Sequence, residues 1–184
     1  MQNHRKIVAI IGLSGAGKSE VVNHIIERHG WPKVYFGDVT FEEVSRLGLE
    51  VNEANERLAR EGLRAEFGPL VYAERVIEKI HALEGNGPVL VESLYSWEEY
   101  LRFKEEFGDA FVTIAVCAAP AIRYGRLVNR PTRPLTTEEA ISRDHSQIEN
   151  LHQAGPIAMA DYTVTNERSR VGLAAEIENI VKEI

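Results

Sequence analysis

Ile7-Val8-Ala9-Ile10-Ile11-Gly12-Leu13-Ser14-Gly15-Ala16-Gly17-Lys18-Ser19 decides the fold. The first five residues are apolar and four of them are β-branched, so they read as a buried strand. The next eight match G-x-x-x-x-G-K-[ST] in full, and a helical pattern follows to about His29. Glycines let the backbone curl until successive N–H groups face one concavity, which suits phosphate oxygens. The helix behind the loop presents its positive N-terminal end to the same anion. Lys18 is placed to reach β- and γ-phosphates, and the Ser19 hydroxyl to ligate Mg²⁺. Gly12, Leu13, Ser14, Gly15, Ala16, Gly17, Lys18 and Ser19 are therefore the expected nucleotide-binding residues, with ATP and Mg²⁺ as the expected cofactors.

Outward from this loop, short β-branched runs alternate with helical patterns, as in a parallel sheet covered on both faces. Val34-Tyr35-Phe36 reads as a second strand. Thr40-Phe41-Glu42-Glu43 reads as a capping box opening a helix, and a helical tract runs from about 52 to 83 with a break at Gly68-Pro69. Val89-Leu90-Val91 follows a Gly/Pro turn as a third strand. Ser96-Trp97-Glu98-Glu99 caps a helix to about Phe107, with Trp97, Tyr100 and Leu101 expected on its core face. A fourth strand is expected over residues 111–116, a helix from Pro120, a helix capped by Thr136, a fifth strand over 162–165 and a final helix burying Leu173, Ile177, Ile180, Val181 and Ile184.

Composition limits the alternatives. A chain of 184 residues fits one α/β domain, and a net charge of −7 argues against a nucleic-acid partner. Cys117 is the only cysteine, which excludes an intrachain disulfide and predicts a reduced, cytoplasmic setting. No stretch approaches the ~20 apolar residues of a membrane span, and no targeting segment is expected.

Three further groups carry chemistry. Glu92 ends an apolar strand, where an acid can orient Mg²⁺ or its water. Asp38 follows the second strand, at the edge where ligands of parallel sheets gather, and suits a proton acceptor for a substrate hydroxyl. Arg123, Arg126, Arg130 and Arg133 cluster in eleven positions; Arg126 and Arg130 would share a helix face if the helix continues that far. Guanidinium groups supply the positioning and charge stabilisation that phosphoryl transfer needs.

With these residues placed, the chain resembles P-loop kinases of the nucleoside-monophosphate-kinase group, and more narrowly the adenylate-kinase-related and dephospho-coenzyme-A-kinase-like proteins. The resemblance includes Phe36-Gly37-Asp38-Val39, residues 63–69 and 73–80, Arg143-Asp144, and Ala160-Asp161-Tyr162 leading to Asn166. It implies a three-layer P-loop NTPase fold over residues 1–184, with a five-stranded parallel sheet, helices on both faces, acceptor-side helices at about 40–83 and a short lid at about 123–136. It further implies ATP as donor, a small-molecule phosphate acceptor beside Asp38, Arg126 and Arg130 in the lid region as catalytic cations with Lys18, and Asn166 beside the donor base. Relatives commonly carry arginine where this chain has Phe41, and Asp-Gly-x-Arg where it reads Glu92-Ser93-Leu94-Tyr95. Both departures fall on the acceptor side, so either the acceptor differs from a common nucleoside monophosphate or Arg57, Arg60, Arg64 or Arg75 takes over its phosphate. An ATP-dependent kinase is the function expected; an ATP-binding switch or slow NTPase without an acceptor is the alternative, motivated by those two positions.

Overall fold

The computed structural model describes residues 5–184. Its centre is β1 (Ile7–Ile11), whose five residues are all buried. A strand with helices on both faces has no solvent side, which is why this run is apolar without alternation. The other strands are β2 (Lys33–Tyr35), β3 (Val89–Glu92), β4 (Phe111–Cys117) and β5 (Tyr162–Thr165). They form one parallel sheet in the order β2-β3-β1-β4-β5. Ile7 stands level with Val89 on one side and Phe111 on the other.

Alternate residues of each strand feed two core layers. Val8, Ile10, Leu90, Ile114 and Val164 pack with α1 (Lys18–His29) and α9 (Arg170–Glu183). Ile7, Ala9, Ile11, Val91 and Ala115 face α2 (Phe36–Arg46), α3 (Glu53–Phe67), α4 (Val71–Ala82) and α5 (Trp97–Phe107). Fully burying such a side chain contributes ~1.5–3 kcal/mol. The helix α6 (Pro120–Val128) packs on α7 (Thr137–Glu149), and a short α8 (Ala154–Ala158) lies against α5. Gly155 makes the last contact possible: a Cβ there would come within 2.7 Å of the Trp97 ring.

The capping boxes of Ser96 and Thr136 form as expected, each with its reciprocal glutamate bond. Thr40 does not cap. Strand β2 ends at Tyr35, one residue early, and α2 starts at once at Phe36, so Thr40 lies inside the helix. Its hydroxyl shares a 2.8 Å hydrogen bond with Tyr72 on α4, and Glu43 pairs with Arg46 instead of a cap amide. Leu101 is exposed rather than core-facing, while Tyr100 is buried and Trp97 partly so. Leu173, Ile177 and Ile180 are buried as expected, with Val181 and Ile184 packed at the margin. Among the described residues no helix is long and apolar enough to cross a membrane.

From β1 the chain winds outward to β2 on one side, and from β3 it crosses past β1 to β4 on the other, so the winding reverses beside β1. The crevice beyond its C-terminal end is the topological switch point, and residues 12–19 occupy it.

Candidate functional site

The loop leaves β1 and enters α1 through glycines with left-handed backbone, φ 79° at Gly15 and 101° at Gly17. A Cβ at Gly17 would come within 2.0 Å of the Asn166 side-chain nitrogen, so substitution there is excluded on two counts. Asn166 donates from Nδ2 to the Ala16 carbonyl at 2.9 Å. Arg126 donates to the Gly15 and Ala16 carbonyls at 3.3 Å and to the Asn166 carbonyl at 2.7 Å. Arg123 holds the Ser14 carbonyl at 3.1 Å. In a trans peptide the N–H points away from its C=O. Tying back the Ser14 and Ala16 carbonyls therefore aims the N–H groups of Gly15 and Gly17 to the opposite side, the arrangement of an anion-binding nest.

Two glutamines complete the support. Gln147 accepts the Ser14 N–H at 3.3 Å, and Gln153, fully buried, donates to the Gly12 carbonyl at 3.0 Å. Sequence reasoning missed both, since glutamine carries no motif signature.

Lys18 is buried and donates from Nζ to the carbonyls of Gly12 at 2.8 Å and Leu13 at 3.3 Å. Burial lowers its pKa to about 8; Arg143 and Arg123 act in the same direction and Glu92 opposes them. The Tyr95 ring lies 5.6 Å from Nζ. Ser19 donates its hydroxyl to Glu92 Oε1 at 2.8 Å, and Lys33 donates to Glu92 Oε2 at 2.9 Å. A hydroxyl and a carboxylate oxygen converging beside a phosphate-binding loop form a donor set that suits a hard divalent cation.

The arginines divide. Arg123 is buried in a two-pronged pair with Asp144 of α7. Arg126 points into the loop from behind. Helix α6 ends at Val128, so Arg130 does not share its face; it lies in the following loop and donates to the Arg133 carbonyl. Burial, then the charges of Arg143 and Arg133, hold Arg130 below the usual arginine value. Arg143 thus acts electrostatically on both Lys18 and Arg130. Arg133 reaches α3, pairing with the buried Glu56 at 2.7 Å.

On the other side, Asp38 is exposed in the first turn of α2. Burial raises the Tyr35 phenol above its ordinary value, and the nearby Tyr95, Glu92, Asp38 and Glu56 add to the shift. Tyr95 donates its hydroxyl to Ser93 at 3.2 Å, where the backbone takes a left-handed φ of 73°. Cys117 ends β4 with its thiol pushed up by burial, which makes it a poor nucleophile.

Residues 8–149 match the family model of the AAA domain. UPF0200 protein TK1334 of Thermococcus kodakarensis is 34% identical over 182 residues, covering 97% of both chains. A UPF0200 protein of Hyperthermus butylicus is 37% identical over 184 residues, covering 98% of this chain and 96% of its own. This chain belongs to the UPF0200 family, within the AAA-domain proteins. Three solved structures share the fold of this UPF0200 member. TT1252 from Thermus thermophilus superposes with a TM-score of 0.70 at 20% identity over 98% of each chain. A gluconokinase from Sinorhizobium meliloti gives 0.61 at 14% identity, covering 100% of this chain and 99% of that one. Shikimate kinase from Aquifex aeolicus gives 0.58 at 18% identity over 96% of each chain. The UPF0200 chain therefore has a P-loop kinase-like fold, with the five-stranded parallel sheet and two helical layers expected from its sequence.

Proposed function

We propose that this UPF0200 chain is an ATP-dependent phosphotransferase that passes a phosphoryl group to a hydroxyl of a small-molecule acceptor. The observation that carries the reading is the pairing of two unlike walls. One is a phosphate loop whose lysine is backed by arginines of α6 and α7. The other, formed by the first turn of α2 and the segment after β3, presents Asp38, Tyr35 and Tyr95. A site built only for hydrolysis needs no second wall.

In this reading Lys18 holds the β- and γ-phosphates, and Arg126 with Asn166 positions the loop and borders the donor base. Arg130 and Arg143, approaching from the segment after α6 and from α7, stabilise charge on the transferring group. Ser19 and Glu92 would hold Mg²⁺, which when bound supplies charge neutralisation between phosphate oxygens. Asp38 accepts the acceptor's hydroxyl proton. The cations on this side are already engaged, Lys33 by Glu92 and Arg133 by Glu56, and Phe41 and Tyr95 stand in place of arginines. A hydroxyl of a nucleotide, coenzyme-A precursor or similar metabolite suits this wall better than an acceptor phosphate. The gluconokinase and shikimate kinase of like fold are named for hydroxyl-bearing acceptors, which supports the same choice.

The test is acceptor-dependent ADP release across nucleoside monophosphates, dephospho-coenzyme A, and sugar and hydroxy acids. Stimulation by none of them would count decisively against a kinase. With an active acceptor, Asp38→Asn is expected to slow turnover on the order of a hundredfold while ATP affinity stays unchanged; an equal loss of affinity would remove Asp38 from this role.

Lys18 adds a pH signature. Phosphate bound against Nζ favours its charged form, so affinity falls as pH rises through about 8. Calorimetry of ATP binding at pH 8 in buffers of different ionisation enthalpy is expected to show uptake of roughly half a proton per site. The same titration on Lys18→Met should show none.

A further inference from the structure

Glu92 divides its two oxygens between unlike donors: the Ser19 hydroxyl on Oε1 and the Lys33 ammonium on Oε2. Ser19 is fixed by its place in the first turn of α1. Lys33 is not fixed in the same way. It opens the edge strand β2, and its side chain lies on the face of that strand shared with Tyr35, which stands level with Glu92. Its stem runs along the strand, and Nζ passes 5.5 Å from the centre of the Tyr35 ring to reach the carboxylate. The lysine side chain is 34% exposed, against 10% for Glu92. An ammonium in that position can retreat into water or remain over the ring at little cost, while the carboxylate has no such freedom.

We propose that Lys33 is a tethered counter-ion that competes with the divalent cation for Glu92, and so sets the cation concentration at which the phosphate loop holds nucleotide. This rests on the reading of Ser19 and Glu92 as the cation site. The physical reason is charge compensation: a carboxylate already paired with an ammonium attracts Mg²⁺ less strongly than a bare one, and the cation gains full access only when Nζ withdraws. Lys33 is a positioning residue here, acting through Glu92 and not on the reacting atoms. Among the described residues no other cation lies within ion-pair distance of Glu92.

Binding of a fluorescent, non-hydrolysable ATP analogue, measured while Mg²⁺ is titrated, tests this without reference to turnover. Lys33→Met and Lys33→Gln are expected to move the Mg²⁺ midpoint three- to tenfold lower. Lys33→Arg, which keeps the charge, should stay near the wild-type midpoint. In a Glu92→Gln background the Lys33→Met shift should vanish. Melting curves of each variant exclude loss of the fold. A midpoint unchanged or raised by both Lys33→Met and Lys33→Gln, with the wild type clearly Mg²⁺-dependent, overturns the counter-ion role alone. Analogue binding by the wild type that ignores Mg²⁺ altogether would overturn the cation site and this inference with it.

Discussion

Lys18→Ala is expected to reduce phosphoryl transfer on the order of a thousandfold or more, with ATP affinity lost in parallel. The side chain is a buried cation lodged inside the loop, held by the carbonyls of Gly12 and Leu13. Losing it leaves the nest of N–H groups but removes the charge that, in the proposed reading, meets the β- and γ-phosphates. The same variant is expected to melt no lower than wild type below pH 8. Burial depresses the Lys18 pKa to about 8, so below that value the folded protein bears the cost of a charged, desolvated amine. That cost lessens as pH rises from about 8 toward the unfolded value, and it is absent from the alanine variant. The two effects together separate a functional lysine from a structural one. Turnover within tenfold of wild type, or a melting temperature several degrees lower, would contradict this account.

The second large effect is structural. Asp144→Ala is expected to lower the melting temperature on the order of 10 °C. Arg123 and Asp144 bond at 2.7 and 2.6 Å with side chains only 4% and 6% exposed, and Tyr124 donates to the same carboxylate at 2.9 Å. Removing one partner leaves a buried charge, which costs about 3–5 kcal/mol, and in a chain of this size each kcal/mol shifts the melting point by roughly 2–4 °C. Replacing both partners, as in Arg123→Met with Asp144→Leu, should restore much of the stability. It should not restore ATP affinity, because Arg123 also holds the Ser14 carbonyl. A single variant melting within 2 °C of wild type would show that the pair does not brace α6 against α7.

These contrasts show which features the sequence could reveal. The phosphate loop was legible because its demands are local: glycine where φ is positive, and a lysine and serine at fixed offsets. The strands and most helix starts were legible for the same reason. Thr40-Phe41-Glu42-Glu43 misled because the capping pattern is also compatible with a helix interior. Here Tyr72 on a distant helix takes the threonine hydroxyl and Arg46 takes the glutamate. The helix containing Gly155 and Pro156 was hidden by two residues that usually interrupt helices; it exists because the glycine seats against Trp97. Spacing alone grouped Arg126 with Arg130, whereas the end of α6 at Val128 separates them. Gln147, Gln153, Lys33 and Arg143 act across the fold, and nothing in their local sequence records it.

The supports of the phosphate loop have one consequence for folding. The loop spans residues 12–19, but the side chains that shape it belong to positions 123, 126, 147, 153 and 166. Until β5 joins the sheet the motif lacks Asn166, whose amide fills the space beside Gly17. The finished shape of the loop therefore depends on the docking of β5, the strand farthest from it in sequence, so the loop is completed by late, long-range contacts and not by its own motif.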